Sequence, residues 1–85
     1  MTYLIMTKQD YTVVGILLGK RLHAFDMLNN KILSDHYTHA TSSIISEMCT
    51  TFKLHNKRFD REAFLTTIHN SRFSHDNKTI DNYEE

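Results

Sequence analysis

Across residues 6–30, MTKQDYTVVGILLGKRLHAFDMLNN, apolar side chains return every three or four positions, at Tyr11, Val14, Leu18, Leu22 and Phe25. That spacing puts all five on one face of a 3.6-residue helix. Val13, Leu17, Ala24 and Leu28 form a flanking strip, so the apolar sector is wider than one partner helix would cover. Thr7 is placed to cap the amide of Asp10, and the Asp10 carboxylate falls in the first turn, where the helix dipole favours an anion. Met6 and Tyr11 then have the spacing of a hydrophobic staple, and Asn29-Asn30 marks the expected end. The β-branched residues Thr12, Val13, Val14 and Ile16 also allow a β-hairpin from TYLIM into YTVVGILL. Apolar and polar residues do not alternate there, and the helical intervals continue to Phe25, so a helix is expected.

The second pattern starts at Ser34 or Asp35, either of which can serve as N-cap. Tyr37, Ala40 or Thr41, Ile44, Met48 and Phe52 make its apolar stripe, with Ile45 and Cys49 beside it. Thr38, Ser42, Ser43, Ser46, Glu47 and Thr50 are left for solvent. His55-Asn56 closes this helix, with Asn56 suited to a left-handed position. In NKRFDREAF, Asp60 caps a third helix, Glu62 lies in its first turn, and Phe59 and Phe64 repeat the staple. Phe64, Leu65 and Ile68 supply the inner side of that helix. The expected fold is all-α: an antiparallel helical hairpin of about residues 7–30 and 34–55 plus a short third helix of about 60–70. Residues 1–70 then form a single domain, and SRFSHDNKTIDNYEE, residues 71–85, has no periodicity and reads as a mobile polar tail.

Composition narrows the field without naming a function. A chain of 85 residues holds one domain at most. Proline is absent and there are two glycines, which disfavours a turn-rich β fold. Formal charge is zero: residues 1–70 carry eight Lys/Arg against six Asp/Glu, and residues 71–85 carry two against four. Neither part has the large single-sign field of a polyanion binder or a DNA mimic. Cys49 is the one cysteine, which excludes an intrachain disulfide. No basic segment precedes a long apolar core at the N-terminus, so no signal peptide is read. VVGILLG at 13–19 is far short of the ~20 residues of a membrane span. The expected setting is soluble, reducing and intracellular.

With the helices placed, the chain resembles a loose class of small bacteriophage proteins. MTKQDY at 6–11, an amphipathic helix, a variable middle and NKRFDREAFL at 56–65 carry the resemblance, and the N-x-x-F-D-x-x-x-F junction is Asn56, Phe59, Asp60 and Phe64. The resemblance covers about residues 6–68. It implies a helical hairpin with a short third helix, a phage origin and hence the host cytoplasm, and it transfers no activity. It also makes Met1–Ile5 and the residues after Asn70 extensions of the core.

Candidate chemistry is sparse. Six histidines raise a metal site, and His36 and His39 are spaced for one helical face beside Asp35. Zinc wants three or four protein ligands, however, and no HExxH or cysteine pair is present; His23, His55, His69 and His75 lie far away in sequence, so no metal or cofactor is expected. Cys49 on an apolar pattern reads as a small core residue. There is no Gly-rich phosphate loop, no G-x-S-x-G and no distinguished pair of carboxylates, so no catalytic residues are assigned and the chain is read as non-enzymatic.

Gly15 and Gly19 have the small-x-x-x-small spacing that lets helix backbones approach closely. Each costs ~1 kcal/mol within a helix relative to alanine, which implies a packing role, either within the monomer or at a self-association seam. Val13, Gly15, Leu17, Gly19, Ala24 and Leu28 are therefore the candidate protein interface, for a host or phage protein or a second copy of the chain. The alternative is a helix-turn-helix-like nucleic-acid-binding protein that uses Lys53, Lys57, Arg58 and Arg61, with Thr66, Thr67, His69 and Asn70 offered by the third helix.

Overall fold

A computed structural model describes residues 6–73, which form three α-helices: α1 (Lys8–Asp26), α2 (Lys31–His55) and α3 (Arg61–Phe73). No strand occurs among the described residues, and the YTVVGILL segment is helical throughout. Helix α1 starts as its sequence dictates. The Asp10 amide donates to Thr7 Oγ1 at 3.2 Å and the Thr7 amide donates to Asp10 Oδ2 at 2.8 Å, a reciprocal capping box.

The helices pack up, down and up. Tyr11 meets Phe52, with ring centroids 5.0 Å apart, and Phe25 meets Tyr37 at 5.3 Å, so α1 and α2 run antiparallel. Tyr11 also meets Phe59 just ahead of α3, at 4.8 Å, while Asp26 pairs with Arg72 at the far end, so α1 and α3 run in the same direction. The core gathers Leu22, Ile45, Cys49, Phe59, Phe64 and Ile68, flanked by Tyr11, Val14, Leu18, Phe25 and Phe52. The expected face of α1 is therefore the one that turns inward.

The tightest seam lies between α1 and α3, and α2 stands further off. Side-chain size explains the difference. Gly15 and Gly19 are buried against α3, facing Thr67, Ile68, Ser71 and Arg72. With no Cβ on one side and short side chains on the other, the backbones come close enough for Ser71 Oγ to donate to the Ile16 carbonyl at 2.8 Å. At α2 the space is filled by aromatic rings instead.

Several boundaries differ from expectation. Helix α2 begins at Lys31, three or four residues ahead of Ser34 and Asp35, because Asn30 Oδ1 accepts from the Leu33 amide at 3.1 Å and caps it. Asn30 thus belongs to the start of α2, and α1 ends at Asp26. The buried stripe of α2 is Ile45 and Cys49, with Thr38, Thr41, Met48 and Phe52 half-buried; Tyr37 and Ile44 are 43% and 54% exposed. The inward face keeps Thr41, Met48 and Phe52 of the expected stripe and takes Ile45 in place of Ile44. Helix α3 runs to Phe73, taking in Ser71, Arg72 and Phe73 from the expected tail. The rest of that tail, like Met1–Ile5, lies outside the described residues.

Candidate functional site

The flanking strip of α1 is where the sequence placed a protein interface, and the structure divides it. Val13, Leu17 and Leu28 are 37%, 58% and 41% exposed, and Ala24 is exposed with them. Gly15 and Gly19 are a correction: both are buried within the chain against α3, so they build the fold and offer no outer surface. Of the two packing roles open in the sequence, the intramolecular one holds, with α3 as the partner. The outer strip continues around the corner between α1 and α2, where Met27, Ile32 and Leu33 are 69%, 80% and 44% exposed. Lys20 and Arg21 lie on the same outer side, and both are exposed. The result is a run of apolar side chains on α1 and the first turn of α2 interrupted by two cations.

The second candidate surface is the turn from α2 to α3. Asn56 does not take a left-handed conformation; at φ −147° and ψ 103° its backbone is extended, and no non-glycine residue among those described has positive φ. Its side chain orders the turn instead. Oδ1 accepts from the Arg58 amide at 3.0 Å and Nδ2 donates to Tyr11 Oη at 3.3 Å, tying the turn to the start of α1. Lys53 reaches the same turn from one helical turn back, with Nζ donating to the carbonyls of Lys57 at 2.8 Å and Phe59 at 3.2 Å. Asp60 Oδ1 then accepts from the Ala63 amide at 3.0 Å to cap α3, and the Phe59 and Phe64 rings lie 5.5 Å apart in the expected staple.

Of the four cations read as nucleic-acid contacts, Lys53 gives two of its three N–H donors to the turn and keeps the third. Lys57, Arg58 and Arg61 are exposed. Thr67 is half-buried at the α1 seam, and its hydroxyl donates to the Ala63 carbonyl at 2.9 Å within its own helix, so of the four polar residues that α3 offered, Thr66, His69 and Asn70 are exposed.

Remaining groups offer little reactive chemistry. Cys49 is 2% exposed and burial pushes its thiol up, opposed in part by the charge of Arg61. A buried thiol held in its neutral form is a poor nucleophile. His36 and His39 are exposed, and no group of three or more His, Cys, Asp or Glu side chains that could hold a metal ion occurs among the described residues. No helix among the described residues is long and apolar enough to cross a membrane. The pair that sequence reasoning missed is Asp26 with Arg72: Nε and Nη2 each donate at 2.8 Å to one carboxylate oxygen, and that bond holds the Asp26 carboxyl below its usual range. Forty-six residues separate the two, and no local pattern announces such a contact. Compared with protein-family models, curated proteins and solved structures, the chain matches none.

Proposed function

We propose that this chain is a non-enzymatic interaction protein that binds and modulates another protein through the outer face of α1 and the corner leading into α2. The observation that carries the reading is the exposure of Leu17, at 58%, in line with Val13 and Leu28 while the opposite face of α1 fills the core. An exposed apolar strip of this kind marks a place where another macromolecule docks. Burial of such side chains contributes roughly 1.5–3 kcal/mol each, so a few of them suffice for a specific contact. The resemblance to small phage proteins makes a host protein or another phage product the first partner to seek. A second copy of the chain is the other occupant that the same face would accept.

Leu17→Asp tests this directly. Its side chain leaves the core untouched, so circular dichroism and melting temperature should match the parent chain. Recovery of the partner from infected cells should fall to background. Sedimentation equilibrium separates self-association from a foreign partner: a concentration-dependent dimer that the substitution dissolves identifies the first. If the variant retains every partner and the parent chain is monomeric at high concentration, this face is not the working surface.

A further inference from the structure

The side chain of Lys53 is parked by its bonds to the Lys57 and Phe59 carbonyls. An ammonium has three N–H donors, so one remains for another acceptor. Beside it lies an open groove of about 410 Å³ lined by Cys49, Thr50, Lys53, Leu54, Phe59 and Arg61. Cys49 and Phe59 are buried and form its apolar floor, while Leu54, 78% exposed, stands at the rim with Thr50 and Arg61. Arg61 is near enough to the floor for its charge to act on the Cys49 thiol. Among the described residues the carboxylate salt bridges are Lys31–Asp35 and Asp26–Arg72, and neither Lys53 nor Arg61 takes part in one of them. The groove is built by α2 and the start of α3 and includes no residue of the α1 outer strip.

We propose that this groove is a second binding site, which receives an acidic peptide segment of a partner protein: one bulky apolar side chain enters over Cys49 and Phe59 beside Leu54, and a neighbouring carboxylate is held by Lys53 and Arg61. Charge complementarity chooses the occupant. Two cations with no salt-bridge partner among the described residues, one of them fixed in place, flank an apolar floor, and an Arg guanidinium matches a carboxylate with two parallel donors. The volume accommodates a large side chain together with the backbone on either side of it. Single-stranded nucleic acid is the poorer fit, because sequence-tolerant binding stacks successive bases on several aromatic rings and Phe59 is the one aromatic among the described residues lining the groove.

The test is an amide-resonance titration of the full chain with the synthetic peptide Asp-Glu-Phe-Glu-Asp at low salt. Parallel titrations use the same peptide with alanine for phenylalanine, with lysine for its acidic residues, and a single-stranded thymidine 20-mer. Binding should move the resonances of Thr50, Leu54 and Arg61, and either peptide change should weaken it at least tenfold. Arg61→Glu should do the same while the fold survives, because glutamate suits the first turn of a helix. Leu54→Glu, at an exposed position, provides an independent variant. No shifts at millimolar peptide, unchanged affinity in both variants, or tighter binding of the oligonucleotide than of the acidic peptide would each overturn the proposal.

Discussion

Gly15 and Gly19 sit one turn apart on α1 and both face α3, yet alanine should be tolerated at one and resisted at the other. A Cβ at Gly15 would approach Thr67 Cγ2 at 3.0 Å, the end of a side chain that can shift by a few tenths of an ångström. A Cβ at Gly19 would run into the Ile68 carbonyl oxygen and meet Ser71 Cβ at 2.5 Å and the Arg72 nitrogen at 3.0 Å. Backbone cannot step aside so cheaply. Alanine gains ~1 kcal/mol of helix propensity at either site, whereas overpacking costs about 1–3 kcal/mol. Gly15→Ala should therefore melt close to the parent chain. Gly19→Ala should lose up to about 2 kcal/mol net, a fall in melting temperature of up to roughly 8–16 °C for a domain of this size. Thermal denaturation of the two variants side by side checks the order.

The two halves of α2 differ in what holds them. From Ile45 onward the helix contributes Ile45, Cys49 and Phe52 to the core. Before that, its half-buried positions are Ser34, Thr38 and Thr41, and the Phe25–Tyr37 ring contact ties it to α1. Little apolar area is removed from water there, so amide hydrogens of residues 34–41 should exchange markedly faster than those of 48–55. Hydrogen exchange read by mass spectrometry or resonance intensity measures the difference. Equal protection along the helix would show that something else covers its first half.

The same contrast explains what could be read in advance. The Thr7–Asp10 box and the Phe59–Asp60–Phe64 junction were legible because their partners lie three to five residues apart, within reach of helix geometry. The start of α2 was not, since Asn30, Ser34 and Asp35 are all competent caps and no core residue nearby fixes the choice. The glycine pair signalled a close approach, but its partner on α3 lies some fifty residues along the chain. On α2 Ile44 was read ahead of Ile45, because the two are adjacent and equally apolar. Only the packing of α1 and α3 decides which of them turns inward.

For the molecule as a whole, the Asp26–Arg72 pair joins the end of α1 to the end of α3, with side chains 30% and 23% exposed. The Arg72 hydrogen bond lowers the Asp26 carboxyl in the folded state, against a weaker opposing effect of burial. A carboxyl depressed by folding contributes stability that is present above its unfolded value, ~3.9, and lost as pH falls through the folded one. Asp26→Asn should accordingly cost up to about 1 kcal/mol at pH 7. The gap between variant and parent should shrink as the pH drops below 4. Urea titrations at pH 7 and pH 3 give both values, and an equal gap at the two would assign the effect to packing.

A solitary sulfhydryl in the centre of the bundle has a practical use. With Cys49 buried at the floor of the groove, a coloured disulfide reagent should react with it far more slowly than with a free thiol, so the rate at which colour develops reports the motions that uncover it without any label being added. Anything that settles on the bundle and keeps it shut will slow that clock, which gives a search for ligands of either surface a readout the protein already carries.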